Sequence, residues 1–321
     1  MSFQWIRRAC VALASVSLLA LAACGSSTTE SQFNPARAIA FGDAFSDVNQ
    51  TGSRYTVNDT SINMWDQSVA FAYGLASNPA STGGTFYATG NARITLHPDA
   101  AGNAATPTVT EQITAFLAGN SFTQNDMVIV QGGYSDIIAQ VAAMNAGSQT
   151  NDQMLANVAQ AGRDLGAQVR RIVQAGGSHV MLTGVYDLGR SPWAVASNQV
   201  SVLSAASARF NSELLVSVVD LGNSVLYVDT AFLFNLMTGS PSSYSFIDGT
   251  TVVCTSVDPG PGIGIGAGEV NSKLCTPSTI ATTLTAGATY DSYIFADKVY
   301  PTPAAQRKLG DYAYSRFRAR F

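Results

Sequence analysis

The chain has 321 residues, 46% of them hydrophobic and 12% charged, with a formal net charge of −4 and 2 histidines. That is ample apolar material for one large core. No basic cluster with interleaved aromatics appears, which argues against nucleic acid as a partner, and no ligand-spaced set of His, Cys and acidic residues implies a metal or another cofactor.

The amino end carries Arg7 and Arg8, then the apolar run ACVALASVSLLALAAC, then the polar GSSTTESQFN, the order of a secretory signal. The run is too short and too rich in alanine for a membrane span. LAAC, Leu21 to Cys24, resembles a bacterial lipobox, which implies cleavage before Cys24 and its diacylation. Residues 1–23 therefore read as a lipoprotein signal peptide, 24–36 as a flexible tether and 37–321 as the folded domain. The expected location is the bacterial cell envelope: an outer-membrane lipoprotein facing periplasm or cell surface, held through lipidated Cys24.

ARAIAFGD reads as the first strand, ending where alternation stops at Gly42 and Asp43. From Ser61 to Gly74, Trp65, Val69 and Ala72 recur at helical spacing, and Gly74 stops the helix. NPASTGGTFYATGNARITL holds too much glycine for a helix and reads as a surface loop. A helix begins near Thr110, and the strand DMVIVQGG follows, ending in the turn GYSD. A long helix is expected from Asn151 to Gly176, then the strand HVMLTGV, a helix from Val200 to Leu221 and the strand SVLYVD. In YPTPAAQRKLGDYAYSRF, Thr302 caps a last helix and Pro303 suits its first position.

Short strands alternating with longer helices predict an α/β fold, a three-layer α/β/α sandwich around a mostly parallel sheet. Ligands of such sheets bind outside the carboxyl ends of the strands, where Asp43, Gly133 and Tyr186 fall. Residues 246–294 break the pattern with DPGPGIGIGAG and read as an insertion of loops and hairpins. Cys254 and Cys275 lie within it with no ligand-spaced histidine nearby, so a disulfide is expected rather than a metal site.

Four short blocks resemble the GDSL or SGNH family of secreted esterases and lipases, particularly its bacterial extracellular branch. The family's Gly-Asp-Ser-hydrophobic-Ser-Asp is met by Gly42, Asp43, Ala44, Phe45, Ser46 and Asp47. Its Ala-x-Gly-Gly-Ala is met by ATGNA, with Gly90 at the oxyanion position and Asn91 in place of a glycine. Gly-Gly-x-Asn-Asp is met by Gly132, Gly133, Tyr134, Ser135 and Asp136, and Asp-x-x-His-Pro-Thr by Asp297, Lys298, Val299, Tyr300, Pro301 and Thr302. The blocks stand in family order from about residue 37 to the C-terminus, so the resemblance implies the SGNH-hydrolase, flavodoxin-like fold.

By the same resemblance Ala44 occupies the nucleophile position, Tyr300 the base position and Asp297 that of the orienting carboxylate. The oxyanion positions are Ala44, Gly90 and Ser135, and Gly42, Asp43, Ser46, Asp47, Gly133 and Asp136 support them. Acyl transfer needs an oxygen nucleophile, a base beside it and a group to orient the base. Alanine offers no nucleophile, and a phenol is a poor base at neutral pH. The expected function is binding of an ester, acyl or glycan ligand, or of an envelope partner, without the standard chemistry. Tyr55, Trp65, Tyr87, Tyr134, Tyr186 and Trp193 are candidate cleft walls or packing residues. The alternative is an active serine esterase with a rearranged site, using Ser46 or Ser135 with His97 as base; His179, at the amino end of a strand, reads as structural.

Overall fold

Four strands, β1 (Arg37–Phe41), β2 (Asp126–Gln131), β3 (Val180–Thr183) and β4 (Val225–Tyr227), form a parallel sheet in the order β1-β2-β3-β4. The computed structural model describes residues 33–62 and 64–321. The signal segment, Cys24 and the tether up to residue 32 lie outside the described residues. β2, with the sequence DMVIVQ, is buried at every position, as a near-continuous apolar run requires of a central parallel strand. Beyond β1 the sheet continues as a single parallel bridge, Ala40 to Phe86, in which the Tyr87 amide donates to the Ala40 carbonyl at 2.7 Å.

The helices are α1 (Trp65–Ala72), α2 (Val109–Gly119), α3 (Tyr134–Asn145), α4 (Asn151–Gln174), α5 (Pro192–Ala196), α6 (Val200–Val218), α7 (Thr230–Gly239) and α8 (Pro303–Arg320). The strands step across the sheet in one direction, so right-handed crossovers put α2, α4 and α6 on one face. α1 and α8 pack on one another and cover the other face. α4 and α6 meet closely because Gly162 has no side chain: a Cβ there would stand 2.5 Å from the Phe210 carbonyl oxygen.

Several boundaries differ from the sequence reading. α1 begins at Trp65 rather than Ser61, because the Asp59 carboxylate accepts the Ser61 amide at 2.7 Å in a local turn that competes with the helix. GYSD is not an isolated turn: Gly133, at φ +113°, leads directly into α3. α6 ends at Val218 and tightens into a 3-10 turn, Val219–Leu221. α7 has no counterpart in the sequence reading, since TAFLFNLMTG is too uniformly apolar to show a period. Its start is marked by Asp229, whose carboxylate accepts the Phe232 amide at 2.8 Å.

Residues 246–294 are held by isolated bridges and short 3-10 turns, with antiparallel bridges Cys254 to Ile280 and Val257 to Val270. Cys254 and Cys275 form a disulfide with their Cα atoms 5.8 Å apart. A small second core gathers around it, including Val57, Val253, Tyr293 and Ala296.

Candidate functional site

The site lies where β1 and β2 end. Gly42 passes so close to Gln131 that a Cβ would stand 2.9 Å from its carbonyl oxygen. The Gln112 side chain clamps Gly42, accepting its amide and donating to its carbonyl, each at 2.9 Å. Asp43 caps the 3-10 turn Ala44–Ser46 by accepting the Phe45 amide at 3.0 Å. Its second oxygen accepts the Tyr134 and Ser135 amides at 3.1 and 3.4 Å, tying the first block to the start of α3. Burial outweighs those donors and pushes the Asp43 carboxyl up to about 6.

Asp47 holds the second block. Its Oδ2 accepts the Gly90 amide at 2.8 Å, and its Oδ1 accepts the Asn49 and Gln50 amides at 2.9 and 2.7 Å. The Gly90 amide, expected from the sequence at the oxyanion position, is therefore turned to a carboxylate. Tyr55 lies on Gly90, where a Cβ would come within 2.2 Å of its hydroxyl oxygen. Ser46 is also engaged, its Oγ accepting the buried Trp65 indole N–H at 2.9 Å.

Gly133 carries the third block through a left-handed conformation, and a side chain there would strike the Phe210 ring at 2.4 Å. Tyr134 then stacks on Phe45 with ring centroids 4.6 Å apart, and its hydroxyl accepts the Tyr186 amide at 2.9 Å. Asp136 pairs with Arg93 at 3.3 Å and accepts the Ile94 amide at 3.0 Å. Burial again prevails and pushes Asp136 up to about 6. Ser135 is fully buried, and its hydroxyl has no hydrogen-bond partner among the described residues.

In the last block Asp297 is held by three backbone donors. Oδ1 accepts the Val299 and Tyr300 amides at 2.8 and 2.6 Å, and Oδ2 accepts the Ser272 amide at 3.0 Å. Tyr300 lies between Tyr55 and Tyr134, with ring centroids 5.3 and 6.5 Å away. Burial, reinforced by the Asp43 charge, pushes its phenol well above the ordinary tyrosine value. The phenol therefore stays neutral and cannot take a proton from a neighbour.

The excursion is fastened to the elements that carry these blocks. The Asn91 side-chain amide donates to the Gly262 carbonyl at 3.0 Å, and Ile263 is buried in the main core. Gly264 sits against Ala100 and Ile138, where a Cβ would meet the Ala100 oxygen at 2.3 Å and the Ile138 side chain at 3.0 Å. Farther along, Glu269 pairs with Lys298 at 2.6 Å, and Ser272 reaches Asp297. Segment 258–272 thus runs from the second block and α3 to the last block. Ala44, Ser135, Asp297 and Tyr300 each have 0% exposure.

The four blocks converge as their order implies, but among the described residues of the cluster no nucleophile stands beside a base. His97 is on the surface with Nε2 3.1 Å from a Glu111 carboxylate oxygen, outside the buried cluster. His179 lies at the amino end of β3, stacked on Phe33 at 3.7 Å. Of the aromatics proposed from the sequence as cleft walls, Tyr55, Tyr134 and Tyr186 pack around the altered positions. Sequence reasoning missed Ile263 and Ser272 as site residues; the one signal was an apolar pair of isoleucines within a Gly- and Pro-rich stretch.

The profile of the GDSL-like Lipase/Acylhydrolase family matches residues 39–313. An uncharacterized protein in the trpE-trpG intergenic region of Pseudomonas putida is 25% identical over 296 residues, covering 86% of this chain. The chain spans about half of that relative, 48% of its length. Two crystal structures align at 11% and 12% identity over 87% and 89% of this chain and 95% and 97% of theirs, with TM-scores of 0.44 and 0.46.

Proposed function

Because the chain belongs to the GDSL-like Lipase/Acylhydrolase family, while alanine, serine and tyrosine stand at its nucleophile, oxyanion and base positions, we propose that it is a non-hydrolytic binding protein of the bacterial envelope. The observation that carries this reading is the burial of Ala44, Ser135, Asp297 and Tyr300 at 0% exposure, with no nucleophile and base in contact among the described residues of the cluster. An ester, acyl or glycan ligand enters the inherited cleft only if segment 258–272 moves. An envelope partner needs no such motion and is the better supported occupant. The N-terminal signal pattern and lipobox support export and anchoring through Cys24.

The rival, a serine esterase with a rearranged site, draws on family membership. Ser46 is spent on the Trp65 indole and His97 on Glu111, which leaves Ser135 as the free hydroxyl of that set. Hydrolysis of a short-chain p-nitrophenyl ester by the full chain tests the two readings. The binding reading expects a rate indistinguishable from the uncatalysed one; fast turnover that is lost on Ser135→Ala establishes the rival.

A further inference from the structure

The amino ends of the strands, opposite the altered site, carry an apolar and basic surface that the proposed function does not use. Leu215, Val216 and Val219, at the end of α6 and in the turn after it, are 41%, 68% and 80% exposed. Together with Val218, Val225 and Tyr227 they line a shallow apolar groove. α6 is a core helix against α4, so its apolar surplus stands on the outward side of its last turns.

Cations stand where α8 ends beside this groove: the Arg320 guanidinium donates to the Gly222 carbonyl, and Arg316, one turn earlier on the helix, is exposed as is Arg320. Asp220, the acid in the adjoining turn, is neutralised by Arg170 at 2.7 Å. The described chain also enters at this end. Phe33 stacks on His179 at 3.7 Å, His179 meets the C-terminal Phe321 at 4.9 Å, and the neighbouring Val180 amide donates to the Ser224 carbonyl at 2.8 Å. The nine steps from Cys24 to Phe33 span at most about 32 Å even fully extended.

We propose that this face seats the protein on an anionic lipid surface, with Val216 and Val219 reaching into the headgroup region and the arginines on lipid phosphates. The inference rests on acylation of Cys24. A short tether holds this end near the bilayer, and exposed valines beside arginines match an interface that is apolar beneath and negative above. The altered site then points away from the membrane, toward a partner arriving from the aqueous side.

The test uses the mature acylated protein in vesicles of phosphatidylcholine and phosphatidylglycerol that contain brominated lipid. Val219→Trp reports on the proposed face. Val195→Trp is the control, because α5 stands beside the last block through the Trp193 amide and the Lys298 carbonyl, 3.0 Å apart. The parent protein supplies the background from Trp65 and Trp193, and thermal melting checks that each variant folds. The expected result is a blue shift and bromine quenching at position 219, neither at 195, and loss of the quenching at 219 on adding Arg316→Glu and Arg320→Glu. An unquenched, water-like Trp at 219 on a vesicle-bound protein overturns the proposal. So does equal quenching at both positions, or a blue shift that appears without lipid and tracks self-association, which assigns the groove to a second copy. The intact mass reports acylation separately: an unacylated mature chain removes the anchor and this inference with it, while a missing esterase activity bears only on the proposed function.

Discussion

The Ser272 backbone amide donates to Asp297 Oδ2 at 3.0 Å, so the carboxylate that the proposed reading puts at the orienting position fastens the end of segment 258–272. On the proposed reading, the missing base and the fastened segment meet on one side chain. On that reading, supplying the family's residues alone is not expected to give turnover. The triple variant Ala44→Ser, Ser135→Asn, Tyr300→His is expected to stay near the uncatalysed rate of p-nitrophenyl ester hydrolysis. Adding Asn91→Ala and Ile263→Gly, which release the segment from the second block and the core, is expected to raise it. Full activity in the triple variant alone would show that the segment does not obstruct the cleft.

Gly90 and Tyr55 are fitted to each other. Gly90→Ala places a methyl about where the Tyr55 hydroxyl now sits and is expected to destabilise the fold by roughly 1–3 kcal/mol, the range for overpacking. Tyr55→Ala alone costs packing, but in the double variant the two losses should be less than additive. Chemical denaturation of the four proteins measures the coupling, and strict additivity would separate the two residues.

Asp43 sets a pH dependence whose sign follows from burial. Its carboxyl is raised from 3.8 to about 6 in the folded protein, so between those values the folded chain holds a proton that the unfolded chain has released. This contribution to stability is complete below about 4 and is lost as the pH rises through about 6. Asp136, also raised to about 6, acts in the same window and direction. Asp43→Asn cannot titrate and should remove a share of the decline on the order of 2 kcal/mol. Urea denaturation at pH 4.5 and 7 reads this as a shallower difference in the variant; an unchanged difference would mean that Asp43 is ionised throughout.

The Cys254–Cys275 bond closes a loop with a sequence separation of 21 residues. Replacing both cysteines by serine should cost roughly 3 kcal/mol through the loop entropy regained by the unfolded chain. The loss should concentrate in the excursion, so hydrogen exchange at 252–281 ought to rise more than in β2. Uniform acceleration across both would make the bond a global rather than a local clamp.

The blocks were legible because each is short and local: Gly42 to Asp47 and Asp297 to Thr302 announce themselves by residue type and order, and Thr302 by its cap. Alternating strands and helices likewise made the parallel sheet readable. What escaped were features decided by distant contacts. Tyr134 begins a helix because Asp43, 91 residues earlier, accepts its amide. Segment 258–272 looks like any glycine-rich loop until Asn91 and Asp297 hold its two ends. The use of the Gly90 amide was hidden for the same reason, since its acceptor, Asp47, lies 43 residues away.

The most direct test of the central claim is treatment of the folded full chain with a serine-directed fluorophosphonate probe, followed by mass analysis of the peptides. The proposed reading, with Ala44 at the nucleophile position and no base beside it, predicts that every serine stays unmodified, even at long incubation and with the disulfide reduced. Stoichiometric labelling of a single serine, lost on unfolding, would contradict the account and identify a working nucleophile.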